Sequence, residues 1–84
     1  MIRDPHSEEE KAFRRFLRDS RKALGLTQAD LAGRLGVPQS FVSKYESGER
    51  LLTFIETLTI LGELGVSIDE AISHIPAPTN AAES

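Results

Sequence analysis

The sequence predicts an all-α domain of five helices, and three patterns carry that expectation. Four times a hydroxyl residue is followed three positions later by an acid: Ser7 with Glu10, Thr27 with Asp30, Thr53 with Glu56 and Ser67 with Glu70. In such a capping box the hydroxyl oxygen accepts from an early backbone N–H that has no partner inside the helix, and the acid reaches back to the capping residue's own N–H. Gly25, Gly36, Gly48 and Gly65 stand where the helices so begun should end, and starts and stops interleave along the chain. Between them apolar residues recur at the three- and four-residue spacing of a helix with one buried face.

The first helix is expected over residues 8 to 24. At 100° per residue Phe13, Phe16, Leu17 and Leu24 fall in one narrow arc, while Lys11, Arg14, Arg15, Arg18, Arg21 and Lys22 lie on the opposite side. The second, over 28 to 35, turns Leu31, Ala32 and Leu35 inward. The third, over 39 to 46, is opened by Pro38, whose fixed φ and missing donor suit a helix start. Its inward residues are Val42 and Tyr45, leaving Gln39, Ser40, Ser43 and Lys44 outside. The few residues between the second and third helices force a tight corner.

A fourth helix follows Thr53, and a short fifth follows Ser67 and stops at Pro76. On the fourth, Phe54, Ile55, Leu58, Ile60, Leu61 and Leu64 cover more than half the circumference, wider than one core-facing stripe requires. With Ile68, Ile72 and Ile75 on the fifth, this end carries more apolar surface than the other helices can cover. A homodimer interface through Ile60, Leu64, Ile68, Ile72 and Ile75 is therefore expected, with two isologous copies placing their middle segments on one side.

Composition narrows the chemistry. The 84 residues suffice for one small domain, expected over residues 7 to 76 between a flexible leader (1 to 6) and a flexible tail (77 to 84). There is no cysteine, hence no disulfide, thiolate zinc site or cysteine nucleophile. His6 and His74 have neither metal-ligand spacing nor an adjacent nucleophile, so no catalytic residue, metal or cofactor is expected. No apolar run approaches the ~20 residues that cross a bilayer, which points to a cytoplasmic protein without a membrane partner. The total charge of −3 conceals a division: net −3 over residues 1 to 10, +5 over 11 to 50 and −5 over 51 to 84. The middle can approach a polyanion, and the acidic end should face away from it or meet a protein partner.

The functional signal lies in TQADLAGRLGVPQSFVSKYESGER, residues 27 to 50. Counting from Gln28, a small residue stands fifth (Ala32), a glycine ninth (Gly36) and a β-branched residue fifteenth (Val42). Ala32 lets the second helix approach the third, Gly36 makes the left-handed corner, and Val42 packs beneath both. This pattern resembles the helix-turn-helix of the XRE, Cro and phage-repressor-like family, over about residues 9 to 76. The resemblance implies a five-helix, lambda-repressor-like DNA-binding domain, with the helix-turn-helix at helices 2 and 3. It implies a regulator that binds double-stranded DNA in the major groove, as a homodimer on an inverted-repeat operator.

Carried over residue by residue, the resemblance puts Gln39, Ser40, Phe41, Ser43 and Lys44 toward base edges. A glutamine at the tip matches adenine N6 and N7. Phe41 either rests on a thymine methyl or is partly buried against the first helices. Thr27, Gln28, Ser47, Arg50 and Arg18 are expected at phosphates, with Gln28 also bracing Gln39. Arg21 and Glu46 align with a family ion pair between the first and third helices. Leu51 and Leu52 depart from the family pattern, which has a proline or a second basic residue there. Two other readings stay open at this point: an antitoxin-type autorepressor that also binds a toxin, and a protein-interaction module on the same fold.

Overall fold

The computed structural model describes residues 3–76, all of the regular elements among them being helices. These are α1 (Glu8–Ala23), α2 (Gln28–Leu35), α3 (Gln39–Ser47), α4 (Phe54–Leu64) and α5 (Ile68–Ser73). The expected flexible tail, residues 77 to 84, lies outside the described residues, as do residues 1 and 2.

The four expected starts are used, though not all as closed boxes. At Thr27 and Thr53 both halves form, the hydroxyl accepting from the N–H of Asp30 or Glu56 and the carboxylate accepting from the capping residue's N–H. At Ser7 the hydroxyl accepts from the Glu10 N–H, but the Glu10 carboxylate instead takes the Arg3 guanidinium, at 2.9 and 3.2 Å. Arg3 also donates to the Leu52 carbonyl at 2.7 Å, and Arg14 donates to the carbonyl of Pro5. Within the expected leader, residues 1 to 6, Arg3 and Pro5 thus make hydrogen bonds to the body.

The core is built from Phe16 and Leu17 of α1, Leu31 and Ala32 of α2, Val42 and Tyr45 of α3, Leu52, and Ile60, Leu61 and Leu64 of α4, with Ala71 of α5 closing one end. Leu24 was expected on the buried arc of α1 but is exposed, because the helix ends at Ala23 and Leu24 is its cap. Gly36, at φ 71°, turns the chain from α2 into α3 with no side chain in its way. Gly48, at φ 90°, ends α3 beneath the Arg14 guanidinium, where an added Cβ would lie 3.0 Å from Cζ. Leu52 fills the core and Leu51 is half-buried. The departure from the family pattern therefore supplies packing where the usual residue would stiffen the linker or meet phosphate.

The expected interface needs a correction at two positions. Ile60 and Leu64 are 1% and 3% exposed, filled against the protein's own core, so neither is available to a second copy. The 3.6-residue period divides α4 differently: Ile60, Leu61 and Leu64 face inward while Phe54, Ile55 and Leu58 face out. Of the α5 residues, Ile68 and Ile72 are exposed and Ile75 is half-buried.

Candidate nucleic-acid interface

The interface is organised by one carboxylate. Glu46, in the last turn of α3, receives Arg21 of α1 side-on, Nε to Oε2 at 2.8 Å and Nη2 to Oε1 at 2.9 Å, a bidentate fork that fixes both planes. Gln28, at the start of α2, donates its Nε2 to the same Oε1 at 3.0 Å. The remaining Arg21 nitrogen, Nη1, donates to the Leu26 carbonyl at 2.8 Å. The two charged side chains are 8% and 5% exposed, so α1, α2 and α3 meet around a nearly dry ion pair. The Glu46 hydrogen bonds hold Arg21 more firmly protonated, against a desolvation that works the other way. Such a pair fixes geometry more than it adds net stability, because desolvation offsets most of its attraction.

With α3 held from behind, its front is free. Gln39, Ser40, Ser43 and Lys44 are all exposed, and with Ser47 they form one stripe at helical spacing. Val42 and Tyr45 lie buried behind them, where burial also pushes the Tyr45 hydroxyl's pKa up. Pro38 provides no side-chain cap, so the first N–H groups of α3 are not occupied by one. Ser47 is engaged locally, donating to the Lys44 carbonyl at 3.1 Å and accepting from the Glu49 N–H at 3.4 Å. Thr27 is exposed, its hydroxyl oxygen accepting within the α2 cap while the hydroxyl hydrogen remains available to an acceptor such as phosphate. Arg18 is exposed near Asp19, at 3.8 Å.

Two other residues expected at DNA also have partners within the chain. Phe41 is half-buried, edge-on to Tyr45 with ring centroids 5.9 Å apart. It lines a cleft with Leu35, Val37, Ile55 and Ile60, so it is partly buried between the end of α2, the turn after it and α4. Arg50, expected at phosphate, has partners within the chain. It pairs bidentately with Glu56 at 2.9 and 2.8 Å, and its guanidinium lies over the Phe41 ring at 4.5 Å. Glu56 Oε1 also accepts from the Thr53 N–H at 2.9 Å. Arg50 and that cap bond together lower the Glu56 pKa to about 2. Phe41, Arg50 and Glu56 therefore connect α3 to the start of α4. Sequence reasoning gave Glu56 only a capping role; the basic residue six positions before it was the available clue.

The profile of the helix-turn-helix family matches residues 17–70, most of the chain and all of α2, α3 and α4. The chain belongs to the XRE, phage-repressor-like helix-turn-helix family. This is a family of DNA-binding regulators and not of enzymes. The chain is similar to the cryptic phage CTXphi transcriptional repressor RstR of Vibrio cholerae serotype O1, at 43% identity over 54 residues, covering 64% of this chain and 48% of RstR. It thus spans about half the length of the curated relative it matches. Among solved structures it is similar to an XRE-family like protein from Pseudomonas syringae pv. tomato, with a TM-score of 0.70 and 43% identity, covering 75% of this chain and 77% of that one. No helix among the described residues is long and apolar enough to cross a membrane.

Proposed function

We propose that this XRE-family chain is a sequence-specific transcriptional regulator that inserts α3 into the major groove of double-stranded DNA and binds an inverted-repeat operator as a homodimer in the cytoplasm. The observation that carries the reading is the exposed polar stripe of Gln39, Ser40, Ser43 and Lys44 on a helix fixed from behind by the Arg21–Glu46–Gln28 network. Those four side chains supply the donors and acceptors that base edges in the major groove can recognise. RstR, a named transcriptional repressor, supports the same role. Repression is accordingly the proposed sign of regulation.

For dimerisation the support is the outward apolar side of α4 and α5. Phe54, Ile55 and Ile72 are 65%, 68% and 58% exposed, with Leu58 and Ile68 beside them. A patch of this kind on a small domain is a candidate subunit contact. The corrected interface consists of these residues with Ile75. Thr27 and the exposed start of α2 are proposed phosphate contacts, through the hydroxyl and the first backbone N–H groups. Selection of binding sites from random duplex DNA tests the reading. It should return a short inverted repeat, and Gln39→Ala should lose about 1–3 kcal/mol of preference at one base pair per half-site. A chain with no duplex affinity even at low salt would overturn it, since a DNA reader must retain salt-sensitive non-specific binding.

A further inference from the structure

We propose that Lys11 and Arg15 of α1 extend the phosphate contact expected of Arg18 into a second, sequence-independent grip on the phosphate backbone, beside α3. This deepens the DNA-binding reading and rests on it. The starting observation is a polar cleft of about 180 Å³ walled by Lys11, Arg14, Arg15, Arg18 and Glu46. Two of these five are already committed. Arg14 donates to the Pro5 carbonyl and packs over Gly48, and Glu46 has its charge met by Arg21 and its Oε1 shared with Gln28. The carboxylate therefore does not neutralise the rest of the row.

The other three cations are uncommitted. The nearest acid to Lys11 is Glu8 at 4.0 Å and to Arg18 is Asp19 at 3.8 Å, both long and exposed pairs of the kind that contribute little. Arg15 is exposed and has no acid within 4.0 Å among the described residues. At i, i+4 and i+7 the three share one side of α1 and span about 10 Å, at 1.5 Å per residue. Long, flexible side chains at that spacing can reach neighbouring phosphates of one strand.

Placement favours nucleic acid over an acidic protein. One wall of the cleft is the last turn of the recognition helix, about 10 Å along its axis from Gln39 at 1.5 Å per residue. The cleft offers none of the aromatic or aliphatic anchors on which protein interfaces rely. Residues 51 to 76, by contrast, contain Glu56, Glu63, Asp69 and Glu70 and no lysine or arginine, so the cations suited to a polyanion all precede them.

The test is the salt dependence of duplex binding by the full chain, read by fluorescence anisotropy, for wild type and for Arg15→Gln with Arg18→Gln. Circular dichroism establishes that the exposed double variant folds. Losing two phosphate contacts should lower the slope of log affinity against log salt by about 1.8. Raising salt from about 50 to about 200 mM then costs the variant roughly twelvefold less affinity than wild type. Preference among sequences should be unchanged, whereas Gln39→Ala should alter preference and leave the slope intact. A wild-type slope in the folded double variant overturns the second grip and leaves the DNA-binding reading standing. So does a slope change accompanied by altered base preference, which would mean that the row acts through α3. If wild type binds a poly-glutamate peptide and no duplex, both readings fall.

Discussion

Replacing Glu46 by alanine should remove a large share of the domain's stability. The substitution removes both acceptors of the Arg21 fork, at 2.8 and 2.9 Å, and strands the Gln28 amide. Arg21 retains only the Leu26 carbonyl while its guanidinium stays charged and 8% exposed. Breaking one side of a buried pair costs about 3–5 kcal/mol, since the remaining charge loses its counter-charge while staying largely desolvated. The total stability of 84 residues, at about 0.05–0.15 kcal/mol each, is only about 4–13 kcal/mol. At roughly 4–8 °C per kcal/mol the melting temperature should fall by about 12–40 °C. Urea and thermal unfolding followed by circular dichroism measure this. A companion variant carrying Arg21→Met and Glu46→Leu should recover most of the loss, because replacing both members with apolar groups of similar size removes the stranded charge. A Glu46→Ala protein within about 1 kcal/mol of wild type would refute the account, and with it the claim that α3 is held from behind by this pair.

Three further outcomes follow from the geometry. Gly36→Ala should cost only the left-handed backbone penalty, about 1–2 kcal/mol, because nothing lies near its new methyl; Gly48→Ala should cost more, because its methyl also displaces Arg14, and equal losses in urea would contradict this. The Glu56 carboxyl should titrate near pH 2 by NMR in place of the usual 4.5. Its contribution is complete above about pH 4.5 and lost as pH falls toward 2, and in Arg50→Gln the midpoint should rise; an unmoved midpoint would assign the effect to the helix cap alone. Ile72→Glu should give a folded monomer in sedimentation, whereas Leu64→Glu should unfold; a wild-type protein that is already monomeric at micromolar concentration would remove the proposed interface.

The places where sequence and structure agree share a physical reason. Caps and helix-ending glycines act within four residues, so Thr27 with Asp30, Thr53 with Glu56, Gly36 and Gly48 could be read directly. The outward polar stripe of α3 follows from helical period alone. Arg21 with Glu46 spans 25 positions and was accessible only because the family resemblance aligned it. Arg50 with Glu56 and Phe41 was missed, because the direction a loop arginine takes is decided by whichever acid and ring the fold places nearby. Ile60 and Leu64 were assigned to the wrong surface for a related reason: an apolar excess on α4 indicates that something is left uncovered, but not which residues.

By itself, then, the sequence determined the five helices, their order and starts, the family, the exposed polar stripe of α3 and the segregation of charge. All of these depend on neighbours a few bonds away or on the linear distribution of residue types. Only the tertiary structure decided which cations are free: Arg14, Arg21 and Arg50 are engaged by carbonyls, carboxylates and a ring, while Lys11, Arg15 and Arg18 remain open. A charge's availability depends on what lies within about 4 Å of it in space, where electrostatic attraction is strong, and helix packing brings remote parts of the chain that close.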